Sequence, residues 1–336
     1  MKARKMNSNK PLVSCIVVNK NYGRFLADAI NSMLAQNYPK DCLEILVVDY
    51  GSTDSSKEII ESFGSSIRKL YIDSTFLGAI NTAIKKAQGK YISFIGADDM
   101  WLPDKIVKQV DILEANPNIG LVYSDMIVIS EDKRVLAPSF WKLYSIKPLK
   151  GKVIYDLALG NFVSGGTIMV RSDLTDLYYP IPENVGFDRS EDWWIALNIA
   201  GHYDLEYIDE PLTLYRVHGQ NMAIGMDVKK TSLDSKIDVL SSEVLAIHKI
   251  LEILRRDAEC PQELLNRMQN RLAQKETELR LAQSAKRSFT EFLMQSIHDL
   301  FSNPLSIKAS LRVWGLTLFP HTFNTLRTIK NKKLSQ

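Results

Sequence analysis

Up to about Ile129 the chain alternates short apolar runs with longer stretches whose apolar residues recur at helical spacing. Leu12 to Val18 is a nearly continuous β-branched run, the pattern of a strand buried on both faces. Phe25 to Gln36 follows, with Leu26, Ile30, Met33 and Leu34 on one helical face. Leu43–Val48, Lys69–Ile72, Tyr91–Ile95 and Leu121–Ile129 read as further strands. Lys57–Phe63, Ala79–Ala87 and a segment that opens near Pro103 and closes before Asn116-Pro117 read as helices. This alternation predicts βαβ units, hence an α/β fold on a doubly wound, mostly parallel sheet. Ligands of such sheets bind beyond the carboxyl ends of the strands.

From Phe140 to Ile224 the pattern is mixed. It holds the aromatic turn Tyr178-Tyr179-Pro180, a Gly165-Gly166 pair ahead of an apolar run, and a helix candidate over Trp193–Ala200. From about Thr231 strand-like runs vanish. Leu265, Met268, Leu272, Leu279 and Ala282 keep three/four spacing there, with Lys275 interrupting the seam. The expected organisation is a basic N-terminal extension over 1–10, an α/β domain over 11–225 and a helical C-terminal region over 226–336.

Composition changes this picture little: 336 residues, 45% apolar and 24% charged, describe a globular chain and not a disordered or multi-span membrane one. The formal charge of +3 is unevenly laid out. Residues 1–10 carry four bases and no acid, Ser284–Gln336 carries eight bases and two acids, and the stretch between is net acidic. An acidic body is not the footprint of a nucleic-acid binder. Cys15, Cys42 and Cys260 offer no CxxC pair or disulfide framework. With no apolar core behind the basic N-terminus, the expected location is cytoplasmic.

Three acidic clusters fall where the sheet rule places a ligand. Asp49 closes the second strand, Asp98-Asp99 follow the fourth, and Glu191-Asp192 open the helix that carries Trp193 and Trp194. Gly51, Ser52, Thr53 and Asp54 would also make a turn and helix cap, and acids in a first helical turn suit the helix dipole. Asp98-Asp99 are different. Adjacent carboxylates at a strand end repel, and a hard divalent cation such as Mn²⁺ or Mg²⁺, shared with substrate phosphates, relieves that repulsion.

The ordered segments VSCIVVNKN, VVDYGSTD, LGAINTAIKKAQGKYISFIGADDMWLPDKI, SEDWWIALNIAG and YRVHGQN resemble the inverting glycosyltransferase family 2, which has the GT-A fold, over roughly Pro11 to Asn221. The resemblance implies a metal-dependent transferase that moves a sugar, here expected from a UDP-sugar, to a hydroxyl of a glycan or lipid-linked acceptor in cell-surface polysaccharide synthesis. It implies Asp192 as general base with Glu191 beside it. Metal ligation would fall to Asp98, Asp99 and His218, with the direct ligand among the two acids left open. Substrate contacts would come from Val18, Asn21, Asp49, Asn81, Asp98 and Arg216. Lys20 stands where relatives often carry an aromatic, and Gly96 and Tyr50 stand where acids are common.

Beyond Ser284, Phe289, Phe292, Leu293, Ile297, Leu300 and Phe301 at helical spacing precede a basic end, a pattern that suits an anionic membrane surface as partner. The C-terminal helices could also serve oligomerisation. A nicotinamide enzyme is excluded because NKNYGRF, not G-x-G-x-x-G, follows the first strand. The competing reading is a non-catalytic sugar-nucleotide or polysaccharide-binding protein of the same fold.

Overall fold

The computed structural model describes residues 10–183, 186, 190–219 and 233–287. They fall into two compact units, one reaching Gly219 and another holding Gly186 and the long C-terminal helices. The first unit is built on one nine-stranded sheet. β1 (Val13–Asn19), β2 (Leu43–Asp49), β3 (Arg68–Tyr71) and β4 (Tyr91–Gly96) run parallel in the order β3-β2-β1-β4. Their crossovers carry α1 (Gly23–Leu34), α2 (Ser56–Ser62) and α3 (Phe76–Lys86). β1 lies between β2 and β4, and its Val13, Cys15 and Val17 share a core cluster with Leu26, Ile30 and Met33 of α1. The apolar stripe expected on that helix is therefore its buried face, and Leu34 packs at its margin.

The next elements are β5 (Met100–Trp101), α4 (Lys105–Ala115), β6 (Ile119–Ser130), β7 (Val135–Ala137), α5 (Phe140–Tyr144) and α6 (Ile154–Leu159). They are followed by β8 (Met169–Arg171), α7 (Thr175–Tyr178), α8 (Glu191–Ala200) and β9 (Asp204–Val217). β8 is antiparallel to both β4 and β6, β9 is parallel to β6, and β5 is antiparallel to β9. The sheet is therefore mixed, and the parallel expectation holds for β1–β4. The apolar run after Gly165-Gly166 enters between β4 and β6 from the opposite direction, and periodicity carries no information on strand direction. α4 starts two residues after Pro103, with Asp104 at its N-cap. β9 had no expectation, because Asp209, Glu210 and Pro211 interrupt its apolar pattern.

In the second unit, α9 (Leu233–Arg256) and α10 (Gln262–Arg287) form an antiparallel hairpin. Asp234 pairs with Lys286 and Glu243 with Lys275, each at 2.6 Å, so the lysine that interrupts the apolar seam is used between the helices. Met268 and Ala282 of that seam are buried. The amphipathic tail from Phe289 and the first nine residues lie outside the described residues. Among the described residues no helix is long and apolar enough to cross a membrane.

Candidate active site

The parallel half of the sheet brings its strand ends to one edge, with Asn19 opposite Asp49 and Val18 opposite Gly96. The half-buried Val18 thus lies between two acidic strand ends. Asp49 is buried and accepts from Asn19 Nδ2 at 2.7 Å, Ser52 Oγ at 2.6 Å and Ser52 N at 3.0 Å. The facing Asn21 has φ of 60°, in the left-handed region that asparagine tolerates. It takes the Thr53 amide on Oδ1 at 2.7 Å and donates its own amide to Ser52 Oγ at 2.9 Å. Asp54 accepts from the amides of Ser56 and Gly23, so GSTD is both a turn tied to α1 and the frame of Asp49. Beside it, Lys20 Nζ stands 5.3 Å from the Tyr50 ring centre.

Asp98 and Asp99 occupy the turn from β4 to β5. A Cβ added at Gly96 would lie 2.7 Å from Asp98 Oδ1 and 3.0 Å from Asp99 Oδ2, so oxygens of both carboxylates converge over this glycine. Asp99 is buried. Its burial and the neighbouring Asp98 charge push its pKa well up, opposed by the Arg216 amide donating to Oδ1 at 2.9 Å. Two carboxylates are the hard-oxygen donors that Mn²⁺ or Mg²⁺ takes together with phosphate and water.

β9 and the residue that follows it carry the other two expected residues here, Arg216 and His218. Arg216 is 2% exposed, and the polar contacts of its guanidinium are to the protein. Its Nε donates to the Asp98 carbonyl at 2.8 Å, one terminal nitrogen to the Glu131 carbonyl at 2.9 Å, and the other to Asp28 at 2.8 Å. The guanidinium lies 4.6 Å from the Phe25 ring centre. It clamps the acidic turn from behind. His218 is buried beside the Tyr22 and Phe25 rings, with Nε2 3.0 Å from Asp98 Oδ2. It braces one carboxylate, and among the described residues no three His, Cys, Asp or Glu side chains converge on one metal position. The side-chain amide of Asn81 donates to the Ile181 carbonyl at 2.9 Å and accepts the Ile181 amide at 2.8 Å, so it holds a backbone segment.

Asp192 and Glu191 open α8. Asp192 Oδ2 accepts the Gly165 amide at 2.7 Å, and its Oδ1 accepts from Trp193 N at 2.6 Å and Asn161 at 3.2 Å. Burial outweighs these donors and moves its pKa up to about 6. Burial and the charge of Asp192 push Glu191 up to about 8. Burial and their mutual repulsion thus oppose ionising both carboxylates at once, the arrangement that can set a base beside an acid. The indoles of Trp193 and Trp194 donate to the carbonyls of Leu157 and Tyr178, which ties both rings to the protein.

Gly165 and Gly166 join the two acid centres. A Cβ on Gly165 would lie 3.2 Å from Glu191 Oε1, and one on Gly166 would lie 3.5 Å from Asp99 Oδ2. The turn is fixed from below: the Gly166 carbonyl accepts from Trp101 Nε1 at 3.0 Å and Thr213 Oγ1 at 3.1 Å, and Gln109 donates to the Thr167 carbonyl at 2.7 Å. Lys105, fully buried, donates to Ser93 and Gln109 at 2.7 Å each, and desolvation lowers its pKa to about 7. Sequence reasoning marked the glycine pair but gave it no role. Asn19, Trp101, Lys105 and Thr213 carried no sequence signal, since each matters only through chain-distant partners.

Residues 14–177 match the family described as Glycosyl transferase family 2. Over 214 residues the chain is 28% identical to an uncharacterized glycosyltransferase of Nostoc sp., covering 62% of this chain and 66% of that relative, which is under two thirds of its length. Its structure is similar to that of S. aureus TarS in complex with UDP-GlcNAc, with TM-score 0.56 and 18% identity over 92% of this chain and 79% of the other. It is also similar to the mannosyltransferase PcManGT from Pyrobaculum calidifontis in complex with GDP-Man and Mn²⁺, with TM-score 0.55 and 18% identity over 96% and 85% of the two chains. At these identities the likeness shows the GT-A fold.

Proposed function

Because this chain belongs to glycosyl transferase family 2, we propose that it transfers a sugar from a nucleotide-sugar donor to an acceptor hydroxyl, with inversion at the anomeric carbon. The observation that carries this reading is the Gly165-Gly166 turn, which has Asp192 and Glu191 against one glycine and Asp99 against the next. A leaving-group site and a base site thus share one wall. Neighbours of the same fold bind UDP-GlcNAc in one case and GDP-Man with Mn²⁺ in another, which supports the donor class.

In this proposal the base half of the donor lies over the Asp49, Asn21 and Val18 strand ends, with Lys20 and Tyr50 beside it. Asp98 and Asp99 would hold the divalent cation, Mn²⁺ or Mg²⁺. When bound, it neutralises the diphosphate and so improves the leaving group. Arg216 keeps the acidic turn in place through its contacts with the Asp98 carbonyl and Asp99 carboxylate, and His218 orients Asp98. Asp192 takes the proton of the acceptor hydroxyl as that oxygen attacks the anomeric carbon. The Gly165 amide fixes the carboxylate that does so. Burial and the Asp192 charge oppose a second negative charge on Glu191 beside it. A single displacement needs no covalent sugar–enzyme intermediate, and inversion follows. The acceptor is a saccharide or a lipid-linked glycan, whose synthesis serves the cell surface.

A thermal-shift panel of sugar nucleotides, with and without Mn²⁺, tests the donor half, since a ligand that binds only the folded state raises its melting point. A rise that needs both nucleotide and metal is expected. If no sugar nucleotide shifts the melting point under either condition, the reading fails.

A further inference from the structure

Lys105 opens α4 and is fully buried, yet the hydrogen bonds of its side chain all end on uncharged oxygens. Nζ donates to Ser93 Oγ and Gln109 Oε1 at 2.7 Å each, and lies 3.5 Å from the Ile168 carbonyl. No carboxylate is among these partners, so the amine is desolvated without a counter-ion, which lowers its pKa to about 7. Burying it is therefore costly. A methionine would fill the same length at lower cost; what the amine adds is hydrogen-bond donors.

Both close partners pass the contact on to the backbone that follows Gly165. Ser93 Oγ donates to the Ile168 carbonyl at 2.6 Å, and Gln109 Nε2 donates to the Thr167 carbonyl at 2.7 Å. The Gly166 carbonyl takes Trp101 Nε1 at 3.0 Å, and Lys105 Nζ lies 4.3 Å from the centre of a Trp101 ring. Three successive carbonyls are thus held by side chains gathered around one amine. An ammonium has three donors and no lone pair. It takes a lone pair of Ser93, which leaves the hydroxyl proton for Ile168, and it takes the oxygen end of Gln109, which leaves the NH₂ end for Thr167. Without it the hydroxyl can rotate and the amide can turn round.

We propose that Lys105 is a positioning residue of the candidate site: through Ser93, Gln109 and Trp101 it fixes the backbone from Gly166 to Ile168, and with it the Gly165 amide that holds Asp192 and the glycine that abuts Asp99. The amine hydrogen-bonds neither carboxylate and acts through the turn alone. Its consequence for turnover rests on the sugar-transfer reading, in which a base misplaced by about 1 Å loses about 10²-fold in rate. The pinning of the turn does not rest on that reading, and it is read without any substrate.

The test compares the full chain with Lys105→Met, with Ser93→Ala, which removes one relay and leaves the amine, and with Val110→Ala, which opens a cavity elsewhere on α4. Amide hydrogen exchange over 160–172 is measured beside steady-state kinetics, each protein being held equally far below its own melting point. In Lys105→Met the amides of Gly165, Thr167 and Ile168 should exchange at least about tenfold faster, and those of β1 and β2 as in the parent. Its kcat should fall at least about tenfold with the KM for donor little changed. Ser93→Ala should show the same pattern more weakly, and it carries the test if Lys105→Met does not fold. Unchanged exchange over 165–168 overturns the proposal. So does the same local rise in Val110→Ala, or a rise spread evenly over the sheet, since either makes Lys105 a core residue only. A parent chain without turnover would remove the transfer reading, and the exchange pattern would still decide the role of Lys105.

Discussion

Gly165 donates its main-chain N–H to Asp192 Oδ2 at 2.7 Å across 27 residues of sequence. The bond places the carboxylate proposed as base on the same turn whose next residue abuts Asp99. The chemistry proposed for the site rests on that turn.

Removing the base separates binding from turnover. Asp192→Asn keeps the shape and the capacity to accept from Gly165 through its amide oxygen, but it cannot take a proton. Turnover should fall about 10²–10⁴-fold with donor affinity little changed. Steady-state kinetics beside a donor-binding isotherm checks this, and retained turnover removes the assignment.

The acid limb of the rate profile follows from the same residue. With the Asp192 pKa raised to about 6 by burial, the ionised base is lost as pH falls through that value. The pH dependence of kcat/KM should therefore decline below about 6. A limb near the ordinary carboxylate range would contradict the desolvated setting.

Glu191 links pH to stability. Its folded-state pKa of about 8 exceeds the ordinary 4.5, so the unfolded chain releases this proton first. Its stabilising contribution is complete below about 4.5 and is lost as pH rises through about 8. Glu191→Gln removes the ionisation. The variant should melt higher than the parent at about pH 8 and close to it at about pH 5, as calorimetry would show.

Gly96→Ala probes the acidic turn without removing an acid. The new Cβ would meet Asp98 Oδ1 at 2.7 Å and Asp99 Oδ2 at 3.0 Å, both ends of side chains that can swing away. The fold should survive, while the Mn²⁺ concentration needed for half-maximal activity rises about tenfold or more. An unchanged metal requirement would argue that the two carboxylates do not share an ion.

Arg216→Met tests the clamp. It leaves the Asp98 and Glu131 carbonyls without the guanidinium donors and Asp28 without that partner, although Asp28 keeps Lys133. A loss of about 2–4 kcal/mol in stability is expected from unpaired buried acceptors, measured by denaturant unfolding. A variant as stable as the parent would show that the turn holds itself.

The legible part of the fold was the part governed by local periodicity. The runs that became β1, β2, β3, β4 and β6, and the stripe of α1, were readable because burial of one face is written in neighbouring residues. β8 and β9 were not. The direction of β8 and the irregular pairing of β9 with β6 depend on partners far along the chain, and the register shifts near Asp125 leave no local mark.

The same division runs through the site. Sequence alone put acids at Asp49, Asp98-Asp99 and Glu191-Asp192, because charge in an apolar surround needs only composition to be noticed. What each polar group faces was decided by tertiary structure. Nothing near Arg216 or Asn81 in the sequence names their protein partners, and folding ties one to the acidic turn and the other to the Ile181 backbone. Hydrogen bonds between positions a hundred residues apart are set by the packing of whole elements, and no spacing along the chain encodes them.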